Sequence, residues 1–397
     1  MLTVPGVTVR EATQDDLVGG VRPRWVALPE TVEEIAAVMR ASAAHDLAVV
    51  TVGGGTKLHW GAPPERCDLL IDTCCLGDVL EHAAGDLVVR VQAGTTMETL
   101  AETLAREGQE LALDVPLEGA TVGGTLATAT AGPRRLRYGT ARDLLIGITA
   151  VLADGTIAHS GGRVVKNVAG YDLGKLFTGS YGTLAVIAEA TFRLHPLPAE
   201  RRWITAEFPP DELSFPMRDL LDSQHEPVAI EVDWPDLSGP CTVCVLVEGV
   251  AAEERATAVR DLLKPPATVE ASPPPWWGRL PDGILIEARG PRLTLAADLP
   301  HVRDAAGRFD VTLRGSVAAG AMHVTPASDS DPGQVAAFLT ELRSRLSGPV
   351  VLLAAPDEVA ALVDRWGPTG GLTLMRRVKE RFDPDRRLSP GRFVGGL

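Results

Sequence analysis

Thr51–Lys57 reads TVGGGTK, directly after the strand-like run LAVV at Leu47–Val50. Three glycines at the end of a strand pattern leave successive backbone N–H groups open to an anion, with no Cβ to block approach. The wording returns at Thr121–Thr128, TVGGTLAT. One glycine run is commonly just a flexible turn. Two similar runs, each beside a strand pattern, point to two loops that clasp the phosphates of a dinucleotide. Neither familiar phosphate fingerprint fits. A Walker loop puts Gly directly before Lys, whereas Lys57 stands between Thr56 and Leu58. Counted from Gly53 and Gly55, the third glycine position of a Rossmann fingerprint is Leu58.

Around these loops the first 200 or so residues alternate strands and helices. Pro29–Asp46 carries Thr31 and Glu34 in capping-box spacing, with Val32, Ile35 and Met39 at helical intervals. Leu87–Gly94 reads as a strand. Thr95–Gln109 reads as a second helix, with Thr95 and Glu98 in capping-box spacing and Gly108 as its stop. Leu144–Ile157 predicts two strands joined at Asp154-Gly155. From about Ala199 prolines become frequent. Strand-like runs such as CTVCVLVEGV (Cys241–Val250) then alternate with helical ones such as DPGQVAAFLTELRSRLSG (Asp331–Gly348), where Asp331 is the expected N-cap. The expected organisation is an N-terminal segment over 1–20, a cofactor domain over 21–198, a smaller α+β domain over 199–375 and a closing segment over 376–397.

The chain has 397 residues, 45% hydrophobic and 23% charged, with a net charge of −14. Those values suit a globular protein and argue against nucleic acid as a partner. No apolar run reaches the roughly 18–20 residues of a membrane span. The opening MLTVPGVTVREATQDD lacks the basic start and apolar core of a signal peptide. A cytoplasmic location without direct membrane insertion is the expectation. The five cysteines are an odd number for a disulfide framework. Cys241 and Cys244 have CxxC spacing without a second pair, so buried strand thiols are expected there, with neither an iron–sulfur cluster nor a metal.

Two further stretches complete the pattern: AGPRRLRYGTARDLLIG (Ala131–Gly147) and GGRVVKNVAGYDLGKLFTGSYGTLAVIAEATFRL (Gly161–Leu194). With the glycine loops, this series resembles the PCMH-type FAD-binding domain of the vanillyl-alcohol oxidase family. Within it the chain resembles the FAD-binding subunits of glycolate oxidases, of the E-subunit type. The resemblance is dense over Arg22–Pro198 and returns in FDPDRRLSPGRFVGGL at the C-terminus. It implies an α+β fold: a two-subdomain FAD-binding domain and a smaller α+β cap, with the closing segment returning to the FAD domain. It also implies FAD lying extended, its diphosphate held by Gly53, Gly54, Gly55, Thr56 and Lys57 on one side. On the other side stand Pro116, Ala120, Thr121, Val122, Gly123, Gly124, Thr125 and Leu126. Gly182, Leu184, Val186 and Ile187 would lie near the adenine half, and Gly132, Arg137, Tyr138 and Gly139 toward the flavin. Thr56 stands where some members carry the His that attaches flavin, so non-covalent FAD is expected. Ser389 replaces the usual Asn of the terminal phrase.

Related 2-hydroxy-acid dehydrogenases carry His-rich metal and substrate phrases that this chain lacks; its nearest candidate is His323, alone in GAMHVT. Tyr181 stands where the catalytic branch tends to have Glu. Both departures point to a subunit that works beside a catalytic flavoprotein and an iron–sulfur subunit of a glycolate oxidase complex, and no catalytic residue is assigned. A self-sufficient FAD oxidoreductase with another small substrate is the alternative. Lys166, Asn167, Tyr171 and Asp172 read either as flavin-site or interface groups, or as a hydrogen-bonded turn. Trp276 and Trp277 read either as cap packing or as a partner anchor, and Arg134, Arg135, Arg137 and Arg142 either as solvated charge or as a basic strip near the cofactor.

Overall fold

The computed structural model describes residues 2–162, 171–264, 266–292 and 294–397. The chain divides into two compact units. Unit 1 comprises 1–131, 140–197 and 369–397, and unit 2 comprises 132–139 and 198–368.

Unit 1 opens with strands β1 (Thr8–Glu11) and β2 (Trp25–Leu28), helix α1 (Val32–Ala44), and strands β3 (Val49–Val52) and β4 (Leu69–Asp72). The strands pair in the order β1-β2-β4-β3. Thr31 caps α1 by accepting from the Glu34 amide at 3.2 Å; the Glu34 carboxylate reaches past it to the Glu30 amide at 2.7 Å. Next come β5 (Val79–Ala83), β6 (Val88–Gln92), α2 (Met97–Ala105), β7 (Gln109–Glu110), α3 (Val122–Thr128), β8 (Leu145–Val151), β9 (Ile157–Gly161), β10 (Val186–Arg193) and β11 (His195–Pro196). Five of these strands form a second sheet, β5-β6-β10-β8-β9. The β8–β9 hairpin turns at Asp154-Gly155, closed by the Leu152 amide on the Thr156 carbonyl at 2.9 Å. The cap of α2 is Thr96, one residue after the expected Thr95, because the Thr96 hydroxyl is the one that accepts from the Thr99 amide.

Two of the cores of unit 1 pack against the five-stranded sheet. Ile35 and Met39 of α1 pack with Val49, Leu69, Val151 and Val186, which joins the two sheets. On the other side of the five-stranded sheet, Leu100, Leu104 and Leu126 pack with Val89, Val91 and Phe192. The C-terminal segment closes the unit. The amide of Val49 donates to the Arg387 carbonyl at 2.7 Å, and the Ser389 amide donates to the Val49 carbonyl at 2.8 Å. Leu388 thereby extends β3 as a parallel neighbour.

Unit 2 is built on eight antiparallel strands: β12 (Arg201–Phe208), β13 (Ala229–Trp234), β14 (Cys241–Glu248), β15 (Thr268–Glu270), β16 (Leu285–Arg289), β17 (Val311–Gly315), β18 (Ala321–Pro326) and β19 (Val350–Ala354). Their order is β15-β12-β14-β13-β17-β18-β16-β19. Side chains alternate across a strand. Ile230, Val232, Val243, Ile286 and Val324 therefore face one core with the helices Ala252–Leu263, Thr294–Ala306 and Pro332–Arg345. Asp331 caps the last of these by accepting from the Gln334 amide at 2.9 Å. Cys241 and Cys244 are buried strand thiols, and burial pushes them up to about 11 and about 12, so both stay protonated and inert. Trp203, Trp276 and Trp277 cluster, with Trp203 and Trp277 edge to face at 6.5 Å.

Candidate functional site

β3 ends at Val52 and the chain enters the glycine loop. Gly55 takes φ +70, a left-handed turn that glycine adopts without strain. Among the described residues, the amide groups of Gly54, Gly55, Thr56 and Lys57 donate to no protein acceptor, so they remain available to an anion. The loop lines an open cleft together with Thr121, Gly124, Tyr181 and Arg392. A second cleft shares Thr51, Gly53, Gly124, Ala127 and Tyr181 with it and continues to Gly123, Gly182 and Ile187.

Two cations stand in this cleft. Lys57 is 7% exposed, and among the described residues its ammonium meets only the Thr56 hydroxyl, at 3.4 Å. Burial lowers its pKa to about 8. Arg392, 4% exposed, donates to the carbonyls of Leu58 and Trp60, both at 2.8 Å, and so fixes the far end of the glycine loop. A buried ammonium without a carboxylate costs several kcal/mol unless a ligand supplies the negative charge.

The second glycine phrase is not a loop. Val122–Thr128 is helix α3, capped by the Thr121 hydroxyl on the Gly124 amide at 3.3 Å. Its first amides are occupied: Val122 donates to the Thr95 carbonyl at 2.9 Å, Gly123 to the Ala93 carbonyl at 2.8 Å and Thr125 to the Thr121 carbonyl at 2.8 Å. The glycines serve close packing instead. A Cβ on Gly53 would run into the Thr121 hydroxyl, one on Gly54 into the Gly119 carbonyl, and one on Gly123 into Ala93. The two similar phrases are thus one nest and the helix turn that backs it.

The other sequence-derived residues distribute as follows. Gly182 and Ile187 line the second cleft, while Leu184 and Val186 are core residues of unit 1. Val122 and Leu126 are core as well, Thr125 and Ala120 are buried, and Pro116 is half-buried. Gly132, Arg137, Tyr138 and Gly139 belong to unit 2. There Arg137 pairs with Glu226 at 3.0 Å and the Tyr138 hydroxyl donates to Glu248 at 3.2 Å. Lys166 and Asn167 lie outside the described residues. Asp172 caps the short helix Leu173–Phe177 through the Lys175 amide at 3.1 Å. Arg392 and Tyr181 are cleft residues that sequence reasoning did not assign to the site. The PGR phrase and the position of Tyr181 in GSYGTL were the available signals.

The polar face of the unit 2 sheet carries a row of ionisable groups across four strands. Arg314 donates to Asp233 at 2.6 Å, Arg289 to Glu287 at 2.8 Å, and His323 faces Glu287 at 3.9 Å. Burial, opposed by Glu287 and reinforced by Arg135, Arg289 and Arg314, lowers the His323 pKa to about 4. Burial opposes the Glu287 carboxylate, yet Arg289, His323 and Arg135 outweigh it and keep its pKa below the ordinary value. Arg314 and Arg289 are thus each paired with a carboxylate of the row, and His323 between them is neutral. No cluster of three or more potential metal ligands occurs among the described residues, and no helix among them is long and apolar enough to cross a membrane.

Residues 23–161 match the FAD binding domain family. The chain is 26% identical to the glycolate oxidase subunit GlcD of Bacillus subtilis, over 94% of this chain and 89% of that one. It is 38% identical to a D-lactate dehydrogenase of Archaeoglobus fulgidus over 46% of this chain and 41% of that one, and 28% identical to an FAD-linked oxidoreductase of Mycobacterium tuberculosis over 100% of this chain and 96% of that one. Among solved structures, p-cresol methylhydroxylase aligns with a TM-score of 0.73 at 16% identity, over 94% of this chain and 89% of that one. The fold is that of the PCMH-type flavoproteins, residues 23–161 match an FAD-binding domain, and the chain is an FAD-dependent oxidoreductase.

The cleft fits the cofactor: a glycine nest with open amides and two buried cations match a diphosphate. Gly53–Lys57 and Arg392 would hold it.

Proposed function

We propose that the chain is an FAD-dependent oxidoreductase of 2-hydroxy acids, acting as the FAD-binding subunit of a multisubunit glycolate oxidase beside a catalytic flavoprotein and an iron–sulfur subunit. The observation that carries the FAD assignment is the cleft where four open amides meet Lys57 and Arg392. The similarity to GlcD and to D-lactate dehydrogenases supports the substrate class. The motif series KNVAGYD and GSYGTL supports the subunit reading. Bound FAD supplies two-electron acceptance and onward electron transfer. The residues Gly53–Lys57 and Arg392 of this chain would hold the diphosphate. Thr56 at the attachment position supports a non-covalent cofactor.

The row Asp233–Arg314–His323–Glu287 favours a second reading, in which this chain oxidises a hydroxy acid by itself. The row brings a buried, neutral imidazole and two arginine–carboxylate pairs together on one face of the sheet.

One experiment separates the two. The purified FAD-loaded chain is mixed anaerobically with glycolate or D-lactate, alone and with the two partner subunits. The subunit reading expects dithionite to bleach the flavin, the acids alone to bleach it slowly or not at all, and turnover to appear with the partners. Fast bleaching by either acid in the isolated chain overturns the subunit reading. A chain that takes up no FAD overturns both.

A further inference from the structure

Cys74 and Cys75 lie in the turn after β4, both exposed, with their sulfur atoms 3.6 Å apart. The other three cysteines are buried. The turn is held rigidly. The Cys74 amide donates to the Asp72 carboxylate at 2.9 Å, Thr73 donates to the Val52 carbonyl through its amide at 3.0 Å and its hydroxyl at 3.1 Å, and the Leu76 amide donates to the Thr73 carbonyl at 2.9 Å. The Gly94 amide donates to the Leu76 carbonyl at 2.8 Å. Thr73 also lines the second cleft. The backbone of the turn is thus fixed on both sides, while the two thiols point outward on adjacent residues.

Two chemistries suit a pair of neighbouring thiols. A disulfide asks the sulfur atoms to close to about 2 Å, with Cα atoms ordinarily about 4.4–6.8 Å apart. Adjacent residues hold theirs at about 3.8 Å, so closure would twist a turn that five hydrogen bonds hold. A single low-coordinate soft centre bonded to both sulfurs needs no such movement, because it leaves them near their present separation. Soft thiolate ligands select soft centres over hard ones.

We propose that Cys74 and Cys75 form a dithiol site for one thiophilic centre, of the class of trivalent arsenicals. The step is a condensation without change of oxidation state. Both S–H bonds and the As=O bond of an organoarsenic oxide break, two As–S bonds form, and the oxygen leaves with both protons as water.

The test uses phenylarsine oxide on the purified FAD-containing protein, read by intact mass and by retention through gel filtration. The wild type is expected to retain one equivalent, with the mass of one arsenical less one water, and to lose it to 2,3-dimercaptopropanol. Cys74→Ser and Cys75→Ser each leave a single thiol and lose the chelate advantage, so binding weakens by roughly 10²-fold or more. The flavin absorbance of each variant shows that its fold is intact. Absence of uptake by the wild type overturns the proposal. So does equal uptake by both folded single variants, which would place the arsenical on Cys67, Cys241 or Cys244. Neither outcome depends on the oxidoreductase reading.

Discussion

At Gly54 an added methyl group would land on the Gly119 carbonyl oxygen, whereas at Gly55 it would meet nothing within 4 Å. The two neighbours should therefore respond differently. Gly54→Ala forces one backbone segment off another, an overpacking cost of about 1–3 kcal/mol, and should lower both the melting temperature and FAD retention. Gly55→Ala meets only the strain of its positive φ, roughly 1 kcal/mol, and should keep its flavin at low temperature. Thermal melts of the two variants, with flavin release followed by fluorescence, check the contrast; equal behaviour would remove the packing argument. Lys57 makes a second residue-scale prediction. Its pKa is lowered from 10.5 to about 8 in the folded, FAD-free chain. Between those values the unfolded chain holds more protons, so the stability of the FAD-free protein should rise with pH across that window. The diphosphate favours the ammonium, so FAD affinity should fall above pH 8, by up to about tenfold per pH unit. In Lys57→Met both slopes should vanish, with weaker binding at neutral pH; fluorescence titration of FAD on either side of pH 8 reads this directly.

At the scale of one element, the helix Leu372–Phe382 fastens the closing segment through Lys379 and the Asp383 that follows it. Lys379 and Asp383 are buried and paired at 2.6 Å. The Lys379 ammonium also donates to the carbonyls of Thr183 and Leu388, both at 2.8 Å. Asp383 accepts from the amides of Arg387 at 3.0 Å and Leu388 at 2.8 Å. Every group in the network has a partner, so removing one leaves a charge or a carbonyl stranded. Lys379→Met should cost about 3–5 kcal/mol. It should also weaken FAD binding, because Leu388 extends β3 and β3 delivers the glycine loop. Urea unfolding together with FAD titration tests both; a variant that loses stability while keeping full FAD affinity would separate the segment from the cleft.

At the scale of the whole molecule, each unit has its own core, and the described residues that line the glycine-loop cleft belong to unit 1. FAD at a hundred times its dissociation constant should stabilise the unit that binds it by about 2.7 kcal/mol. Calorimetry with and without FAD, with hydrogen exchange to locate the protected amides, should show the gain over Val49–Leu58 and Leu388–Arg392. Protection confined to unit 2 would move the site off the glycine loop.

The features legible in the sequence were those built by near neighbours in the chain. Thr31 caps α1 with the amide three residues on, Asp331 does the same for its helix, and the Asp154-Gly155 hairpin closes over four residues. The strand-like run Cys241–Val250 became β14, Cys241–Glu248. The glycine spacing and the KNVAGYD and GSYGTL phrases carried the family, and with it FAD. Only the tertiary structure decided what the glycines do. The second TVGG phrase reads like the first, but its amides are taken by carbonyls of Ala93 and Thr95, so it forms a helix turn while the first remains an open nest. Arg392 reaches Leu58 and Trp60 from the other end of the chain, and the ionic row of unit 2 draws one or two residues from each of four strands. Local hydrogen bonds are written in neighbouring residues. The partners that occupy or free a buried polar group come from wherever the folded chain brings them, and that distance leaves no periodic mark in the sequence.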